Sequence, residues 1–397
     1  MGNISNILSV NAGSSSIRIA LLGDDSSGGS LTRIFEITLI NIGQADTSII
    51  VSSPQSHDQP RPVHGTDKNS AISSFLDVVE ELTGDYPLSA IGNRFVRGGQ
   101  NYYSSQPITP ELEQDLRDIA TLDPEHIPIT LSLIAELGKR FPVIQQYAVF
   151  DSAFFHSMPR VAQTIALPRR FREAGLRRYG FHGLSYSYLL SRLKEIDEPG
   201  SNGRLIFAHL GSGASLAAIS QGQPIDTTMG FTPASGILMS TRSGDLDPGI
   251  ISFLGKSYGT TIEEFDHMIN FESGLLGVSG ISSDMKALLD QEASNDQAAE
   301  AIELFCYQAR KAVGTLSASL GGVDKLVFTG GIGEQSAIIR SRICAGLEYL
   351  GIIIDEPSNA KHLDVISTPA SPVEVRIIAT DENLTIAREV QQLINHR

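Results

Sequence analysis

Two short turns built from glycine and serine lie far apart in this chain, each set between apolar runs of strand type. The first is Asn11-Ala12-Gly13-Ser14-Ser15-Ser16, the second Gly211-Ser212-Gly213 with His209 and Leu210 before it. Tiny residues let a backbone approach a ligand closely, and converging turn N–H groups make a nest for an anion. One such hairpin is an ordinary turn; two at the same place in each half imply a duplicated fold gripping a polyphosphate between its halves. Further polar clusters stand at the ends of apolar runs, where α/β folds place ligands. Arg242 lies among Ser240, Thr241, Ser243 and Gly244, either in a loop organised around an anion or paired on the surface to Asp245 or Asp247. His182, between Gly180 and Gly183 beside Tyr179 and Phe181, is catalytic or structural. Arg94 and Arg97 follow a strand, and Asp151 ends another. Asp151 and Glu382 are carboxylates of the kind Mg²⁺ uses, although Glu382 beside Thr380 could instead serve a helix N-terminus. Gly330-Gly331-Ile332-Gly333-Glu334 after an apolar run is a nucleotide-type turn. Backbone cradles, a few carboxylates and a few cations are what phosphoryl transfer needs.

The elements that must hold these residues follow from periodicity. Beyond the first hairpin, the pattern predicts a strand over 33–40, an exposed loop over 52–69, a helix over 72–82 and a strand over 90–96. Residues 109–140 read as two helices broken at Asp123-Pro124 and at Pro128, and 143–150 as a buried strand. The second half places strands within 205–219, an amphipathic helix at 298–320 and a buried strand at 325–329. A strand at 375–379 and a closing helix at 384–394 follow. Strands then helices, twice over, predict two related α/β domains with a cleft between them.

At 397 residues the chain exceeds one ordinary core. Its 41% hydrophobic and 19% charged residues are those of a globular protein. A net charge of −15 argues against nucleic acid and anionic membrane as partners. It also requires that an anionic substrate be held by a few well-placed cations. Cys306 and Cys344 have no Cys-x-x-Cys or Cys/His neighbour, so neither a metal cluster nor a disulfide framework is expected, and a reduced cytoplasm is the expected setting. No run reaches transmembrane length, and no signal layout opens the chain. Met1-Gly2 half-matches an acylation signal, but Asn6 stands where Ser or Thr is required.

Nearly end to end, the chain resembles the acetate/propionate kinase family of the sugar-kinase, Hsp70 and actin superfamily. The resemblance is carried by Val10-Asn11-Ala12-Gly13-Ser14-Ser15-Ser16, Arg178-Tyr179-Gly180-Phe181-His182-Gly183, Met229-Gly230-Phe231-Thr232-Pro233 and the run from Gly236 to Asp245. Ser273-Gly274-Leu275-Leu276-Gly277, Ser282-Ser283-Asp284-Met285, Phe328-Thr329-Gly330-Gly331-Ile332-Gly333-Glu334 and Thr380-Asp381-Glu382 add to it. It implies duplicated ribonuclease H-like (actin-like) domains with a nucleotide cleft between them. The first would be residues 1–150, closed by a C-terminal helix at 384–397; the second, 151–383, would bind the nucleotide and form a homodimer. By the same resemblance Asn11, Ser14 and Ser16 touch phosphate, with Arg18 where lysine is usual, and Asn11 and Glu382 hold the metal. Arg94 and Arg242 clasp the carboxylate and the moving phosphoryl group, Asp151 sits beside the reacting carboxylate, and His182 bonds phosphoryl oxygens. His209, Leu210, Gly211, Ser212 and Gly213 line the phosphate path. Asp284, Met285 and Lys286 with Gly330, Gly331, Ile332, Gly333 and Glu334 seat the adenosine. Val96, Leu122, Phe181 and Pro233 form the acyl pocket. ATP/ADP and Mg²⁺, with Mn²⁺ as a substitute, are the implied cofactors.

The chain departs from the family's pattern in places. Asn93-Arg94-Phe95-Val96-Arg97-Gly98-Gly99 replaces His-Arg-x-Val-His-Gly-Gly, and the loop over 121–128 is altered. Phe155 stands where His is usual, with His156 one place later. Tyr186, Ser212, Lys286 and Gln335 replace His, Asn, Arg and Asn. Several of these surround the expected acyl pocket and bear on which short acid is used. One methylene there is worth roughly 1–3 kcal/mol. An acetate oxygen is already a free nucleophile at neutral pH, so Asp151 is expected to organise metal or water rather than remove a proton. The expected activity is reversible, in-line formation of an acyl phosphate from ATP and a short acid, acetate first. The alternatives are a propionate or other short-chain carboxylate kinase, and a catalytically silent nucleotide-binding module.

Overall fold

The computed structural model describes residues 6–13, 16–24, 30–42, 46–54, 56–57, 60–63, 68–120 and 126–396. The chain divides into two compact units, Met1–Phe154 with Asp381–Arg397, and Phe155–Thr380. Residues 151–154 and 381–383 thus stand with the first unit.

The first unit is built on a nine-stranded sheet. Its strands are β1 (Asn6–Ala12), β2 (Ser16–Asp24), β3 (Leu31–Ile40), β4 (Ser48–Ser53), β5 (Ser56–His57), β6 (Arg61–Pro62), β7 (Leu88–Phe95), β8 (Gln106–Pro107) and β9 (Gln146–Phe150). β1, β2 and β3 run antiparallel, while β7 lies parallel to β1 and β9 parallel to β7. The second unit carries β10 (Arg204–Leu210), β11 (Ala214–Ser220), β12 (Gln223–Thr227), β13 (Lys325–Thr329) and β14 (Glu374–Ile377). Its order is β12-β11-β10-β13-β14, two antiparallel pairings followed by two parallel ones. The first sheet shows the same order in β3-β2-β1-β7-β9. Duplication is therefore present in strand order and direction, not only in the two turns. Because the last three strands of each set are parallel, their C-terminal ends share one edge, and chemistry collects there.

Burial explains why the strands hold. Leu8, Val10, Ile17 and Ile19 pack with Phe75, Leu76 and Val79 of the helix Lys68–Thr83 in one apolar cluster. A second cluster joins Phe95 and Phe150 to Leu112, Leu116, Ile127 and Leu131. The helix Glu382–Asn395 lies on β1 and β7. It packs so closely that a Cβ on Gly92 would sit 2.7 Å from Ile386 Cγ2 and 2.8 Å from Val390 Cγ2. In the second unit the helix Asp296–Leu320 is capped by the Asn295 side chain, ends at Gly321 and buries Ile302, Phe305, Val313 and Leu316. Cys306 and Cys344 are buried, and burial pushes the Cys306 thiol up to about 12 and raises that of Cys344.

Four details differ from the sequence reading. The polar stretch 52–69 contributes the small strands β5 and β6, which pair with β4. Pro128 does not break a helix: it lies in the first turn of Ile127–Arg140, where a missing N–H costs nothing. The strand expected from Val143 starts only at Gln146, Val143 being 89% exposed. Gly330–Gln335 is itself a helical turn rather than a loop leading into one.

Candidate active site

Strand geometry gathers one set of polar side chains in the first unit. Asn11 lies near the end of β1, Arg94 near the end of β7, and Asp151 directly after β9. Arg94 Nη1 donates to Asn11 Oδ1 at 2.9 Å, and Arg94 Nε to Asp151 Oδ2 at 3.2 Å. A second, shorter bond runs from Arg94 Nη2 to the same carboxylate oxygen. Asn11 Nδ2 in turn donates to Glu382 Oε2 at 2.7 Å. A continuous line, Glu382–Asn11–Arg94–Asp151, thus crosses three parallel strand ends. Asp151 is fully buried and the Arg94 side chain is 13% exposed. Such a pair holds only where geometry satisfies both partners. Helix capping falls to Asp381, whose side chain accepts from Leu384 N at 3.0 Å; Glu382 is left facing Asn11. Arg18 is exposed and opposite Asn11 in the ladder, and Ser16 opens β2. Val96 is buried, and Arg97, at 0% exposure, is more deeply buried still. Ser14 and Leu122 lie outside the described residues.

The second unit gathers another set. His182 adopts a left-handed backbone, φ 59°, a conformation that costs energy and collects at functional sites. Its Nδ1 lies 2.9 Å from Ser215 Oγ, and its ring stacks on that of His209 at 4.3 Å. His209 Nδ1 lies 2.9 Å from Ser185 Oγ. Tyr186, fully buried, donates its OH to Ser215 O at 2.8 Å and lies 2.5 Å from Ser215 Oγ. A Cβ on Gly213 would come within 3.1 Å of His182 Nε2 and 3.7 Å of Arg242 Nη1, so glycine is what keeps that space open. The Arg242 loop is tied to the same turn, since Ser240 N donates to Ser212 O at 3.1 Å. Arg242 Nη1 reaches Pro233 O at 3.5 Å. The rival pairings are taken up elsewhere: Asp245 Oδ1 accepts from Gly236 N and Asp247 Oδ1 from Gly249 N. Leu210 and Phe181 are buried, while Pro233 is half-buried.

The Gly330 to Glu334 turn is pinned from both sides. Glu334 Oε1 accepts from Gly330 N at 2.9 Å, Thr329 Oγ1 at 3.2 Å and Thr380 N at 3.3 Å. Arg340, fully buried, donates Nη1 to the carbonyls of Gly333 and Glu334, each at 2.8 Å, and Nε to Asn359 Oδ1. Burial pulls its guanidinium down to about 10. Gly331 is exposed, and nothing lies within 4 Å of where its Cβ would be; Ile332 is half-buried. Asp284 caps the helix Met285–Leu289 through Ala287 N, Met285 is buried and Lys286 exposed. Among the described residues no hydrogen bond ties that segment to the glycine turn. Sequence reasoning passed over Ser185, Ser215 and Arg340, and marked Tyr186 only as a departure. A serine in a strand or an arginine in a helix gives no local signal of the group it will hold.

Two sheets of one order, each with a glycine turn and polar side chains at parallel strand ends, define the duplicated ribonuclease H-like fold of the actin and sugar-kinase superfamily. The chain belongs to the acetokinase family, whose model matches residues 6–388. It is 42% identical over 393 residues to an acetate kinase of Rhodopseudomonas palustris, covering 98% of both chains. It is 38% identical over 397 residues to a propionate kinase of Citrobacter rodentium, covering 98% of this chain and 96% of the other. Among solved structures, Porphyromonas gingivalis acetate kinase superposes with a TM-score of 0.85 at 35% identity, covering 98% of this chain and all of that one.

Proposed function

We propose that this chain is an ATP-dependent carboxylate kinase that reversibly phosphorylates acetate. An acetate oxygen attacks the γ-phosphorus of ATP, a new P–O bond forms, and the bond to the ADP oxygen breaks. No proton has to move, because acetate is ionised at neutral pH and ADP leaves as an anion. What must be overcome is repulsion between a carboxylate and a polyphosphate. The barrier is therefore lowered by fixed positive charge aimed where the three equatorial oxygens develop charge.

The observation that carries this reading is the line Glu382–Asn11–Arg94–Asp151. Asp151 and Asn11 fix the guanidinium of Arg94, so its orientation requires no reorganisation during transfer. Arg94 then holds the acid, with Val96 beside it in the chain. In the second unit, Arg242 and His182 Nε2 face the Gly211 to Gly213 turn and act on the transferring phosphoryl group. Ser215 fixes the His182 ring through Nδ1, and Nε2 is the atom that meets the substrate. The Gly330 to Glu334 turn and the 284–286 segment take the nucleoside, with Glu334 and Arg340 fixing the backbone that the base rests on.

Asn11 and Glu382 offer oxygen donors of the hard kind that suit Mg²⁺, with Mn²⁺ as a substitute. Among the described residues no three of His, Cys, Asp and Glu form a metal cage. Mg²⁺ in phosphoryl transfer needs only one or two carboxylates plus substrate phosphates. When bound, the ion neutralises phosphate charge. Further parts of this reading are a homodimer through the second unit, whose Phe253, Tyr258 and Ile262 are 59%, 74% and 75% exposed, and a cytoplasmic setting. The net charge of −15 supports small molecules, rather than nucleic acid or membrane, as partners.

A second reading, propionate as the preferred acid, is favoured by the Citrobacter relative. The test is trapping of acyl phosphate with hydroxylamine across acetate, propionate and butyrate, with ATP and Mg²⁺. Acetate should give the highest kcat/KM. A preference of about tenfold or more for a longer acid would replace acetate, and ATP binding without turnover on any acid would refute the kinase assignment.

A further inference from the structure

Six of the chain's 30 lysines and arginines fall within residues 160–178, a stretch holding one glutamate and no aspartate. Four of them, Arg160, Arg169, Arg172 and Arg177, line a cavity of about 360 Å³ in the second unit together with Gln163 and Glu173. Two short helices, Arg160–Gln163 and Arg169–Glu173, each start after a proline and bring their arginines to this one space. Among the described residues none of the four forms an ion pair, whereas the neighbouring Arg178 is paired to Asp226 at 2.8 Å.

The back wall is built in advance. Gln163 Nε2 donates to Met158 O at 2.6 Å and His156 O at 3.2 Å, and its Oε1 accepts from Arg177 Nη1 at 3.4 Å. The Gln163 carbonyl accepts from Arg178 N at 2.8 Å. Arg177 is further held over the Tyr179 ring at 4.9 Å. Massed guanidinium groups facing one carboxylate repel one another, and in a chain of charge −15 they run against the molecule's overall field. Their planar forks match carboxylate and phosphate oxygens in pairs. A monoanion would leave most of the excess positive charge uncompensated.

We propose that this cavity binds a small anion carrying two or more carboxylate or phosphate groups. None of its lining residues is among those given a part in phosphoryl transfer, so the proposal stands apart from the kinase reading. The test is titration calorimetry of the whole, nucleotide-free protein with citrate and, separately, with tripolyphosphate. One saturable site should appear that weakens at least tenfold in an Arg160→Gln/Arg172→Gln double variant. Glu173→Gln, which removes the opposing charge, should tighten it about threefold, a gain that loss of folding cannot imitate. The tighter of the two probes identifies the favoured oxyanion. No saturable binding by either probe, or equal affinity in wild type and double variant, would overturn the proposal. So would light scattering in which the double variant splits a dimer that binds neither probe, because the arginines would then be pairing with a second copy.

Discussion

Arg94 spends its guanidinium in two directions, on Asn11 and on Asp151, and this division decides what its removal does. Arg94→Ala takes the cation away from a carboxylate at 0% exposure, so it should lower stability by about 3–5 kcal/mol in urea denaturation. Turnover should fall by roughly 10³-fold or more, by analogy with other arginines that meet transition-state charge. Lysine at this position supplies charge but cannot reach both partners, so Arg94→Lys should recover stability more than rate. Arg242 differs in setting: its Nη1 donates to Pro233 O at 3.5 Å, lies 3.9 Å from the Met239 sulfur and stands at the Gly213 turn. Arg242→Ala should therefore lose turnover on the same scale, about 10³-fold, while the ATP dissociation constant from equilibrium dialysis changes little. An equal loss in ATP affinity would show that it serves ground-state binding instead. Tyr186→Phe tests the support of His182: removing the OH that meets Ser215 should cost about 1–3 kcal/mol of stability and lower kcat more than KM. Arg242 and His182 are conspicuous in the sequence as a charged and an imidazole group among glycines, whereas Arg94 behind a strand is a weak signal that the resemblance to the family raises. Ser215 and Arg340 are not legible there, because their importance lies in partners that only the fold supplies.

Strands and helices hold these side chains in place, and two contacts expose how. Gly92 lies in β7 two residues before Arg94, under the helix that begins with Glu382. Gly92→Ala should push that helix away from the sheet, costing about 1–3 kcal/mol by overpacking and lowering activity through the displaced Glu382. Thermal unfolding and initial rates measured together would separate the two effects. At the opposite end of β13, Lys325 bonds Asp197 at 2.9 Å and Glu374 at 2.8 Å. Burial alone lowers the Lys325 pKa, but the bonds from Glu374 and Asp197 outweigh it and the net shift is upward. The bond from Lys325 lowers Asp197; burial raises Glu374, but bonds from Arg376 and Lys325 outweigh it. The two carboxylates thus add stability above their unfolded values that is lost as pH falls through their lowered folded ones. Lys325 adds stability that persists until pH rises through its raised value. In Lys325→Met, the fall in urea midpoint between about pH 5 and pH 3 should be shallower than in wild type, with Arg376 still acting on Glu374. The hairpins are legible from apolar runs meeting at turns of small residues. The parallel pairings are not, because Leu205 meets Lys325 across a sequence gap that no local pattern spans. Pro128 misled for a related reason: proline looks the same whether it ends a helix or begins one.

At the scale of the molecule, duplication makes one edge of each sheet chemically special, and the chain's course gives the first sheet a residue from the far end of the sequence. The C-terminal helix carries Glu382 to Asn11, and it also supplies apolar cover for β1 and β7 through Ile386, Ala387 and Val390, all at 0% exposure. Length implies more than one core, and the chain divides into two compact units. Neither length nor amphipathic pattern says that the last helix completes the first core, since that pattern fits either sheet. Function and stability of the first unit are consequently joined at the C-terminus, while the second unit, residues 155–380, contains its own sheet and its long helix Asp296–Leu320. A chain ending at Thr380 should therefore lose activity together with protection in one unit only. Hydrogen exchange followed by mass spectrometry should show β1 and β7 exchanging rapidly, while β10 and β13 remain protected as in the full chain. Equal loss of protection in both sheets would mean that the two units fold as one cooperative body, and that the terminal helix supports more than the core it covers.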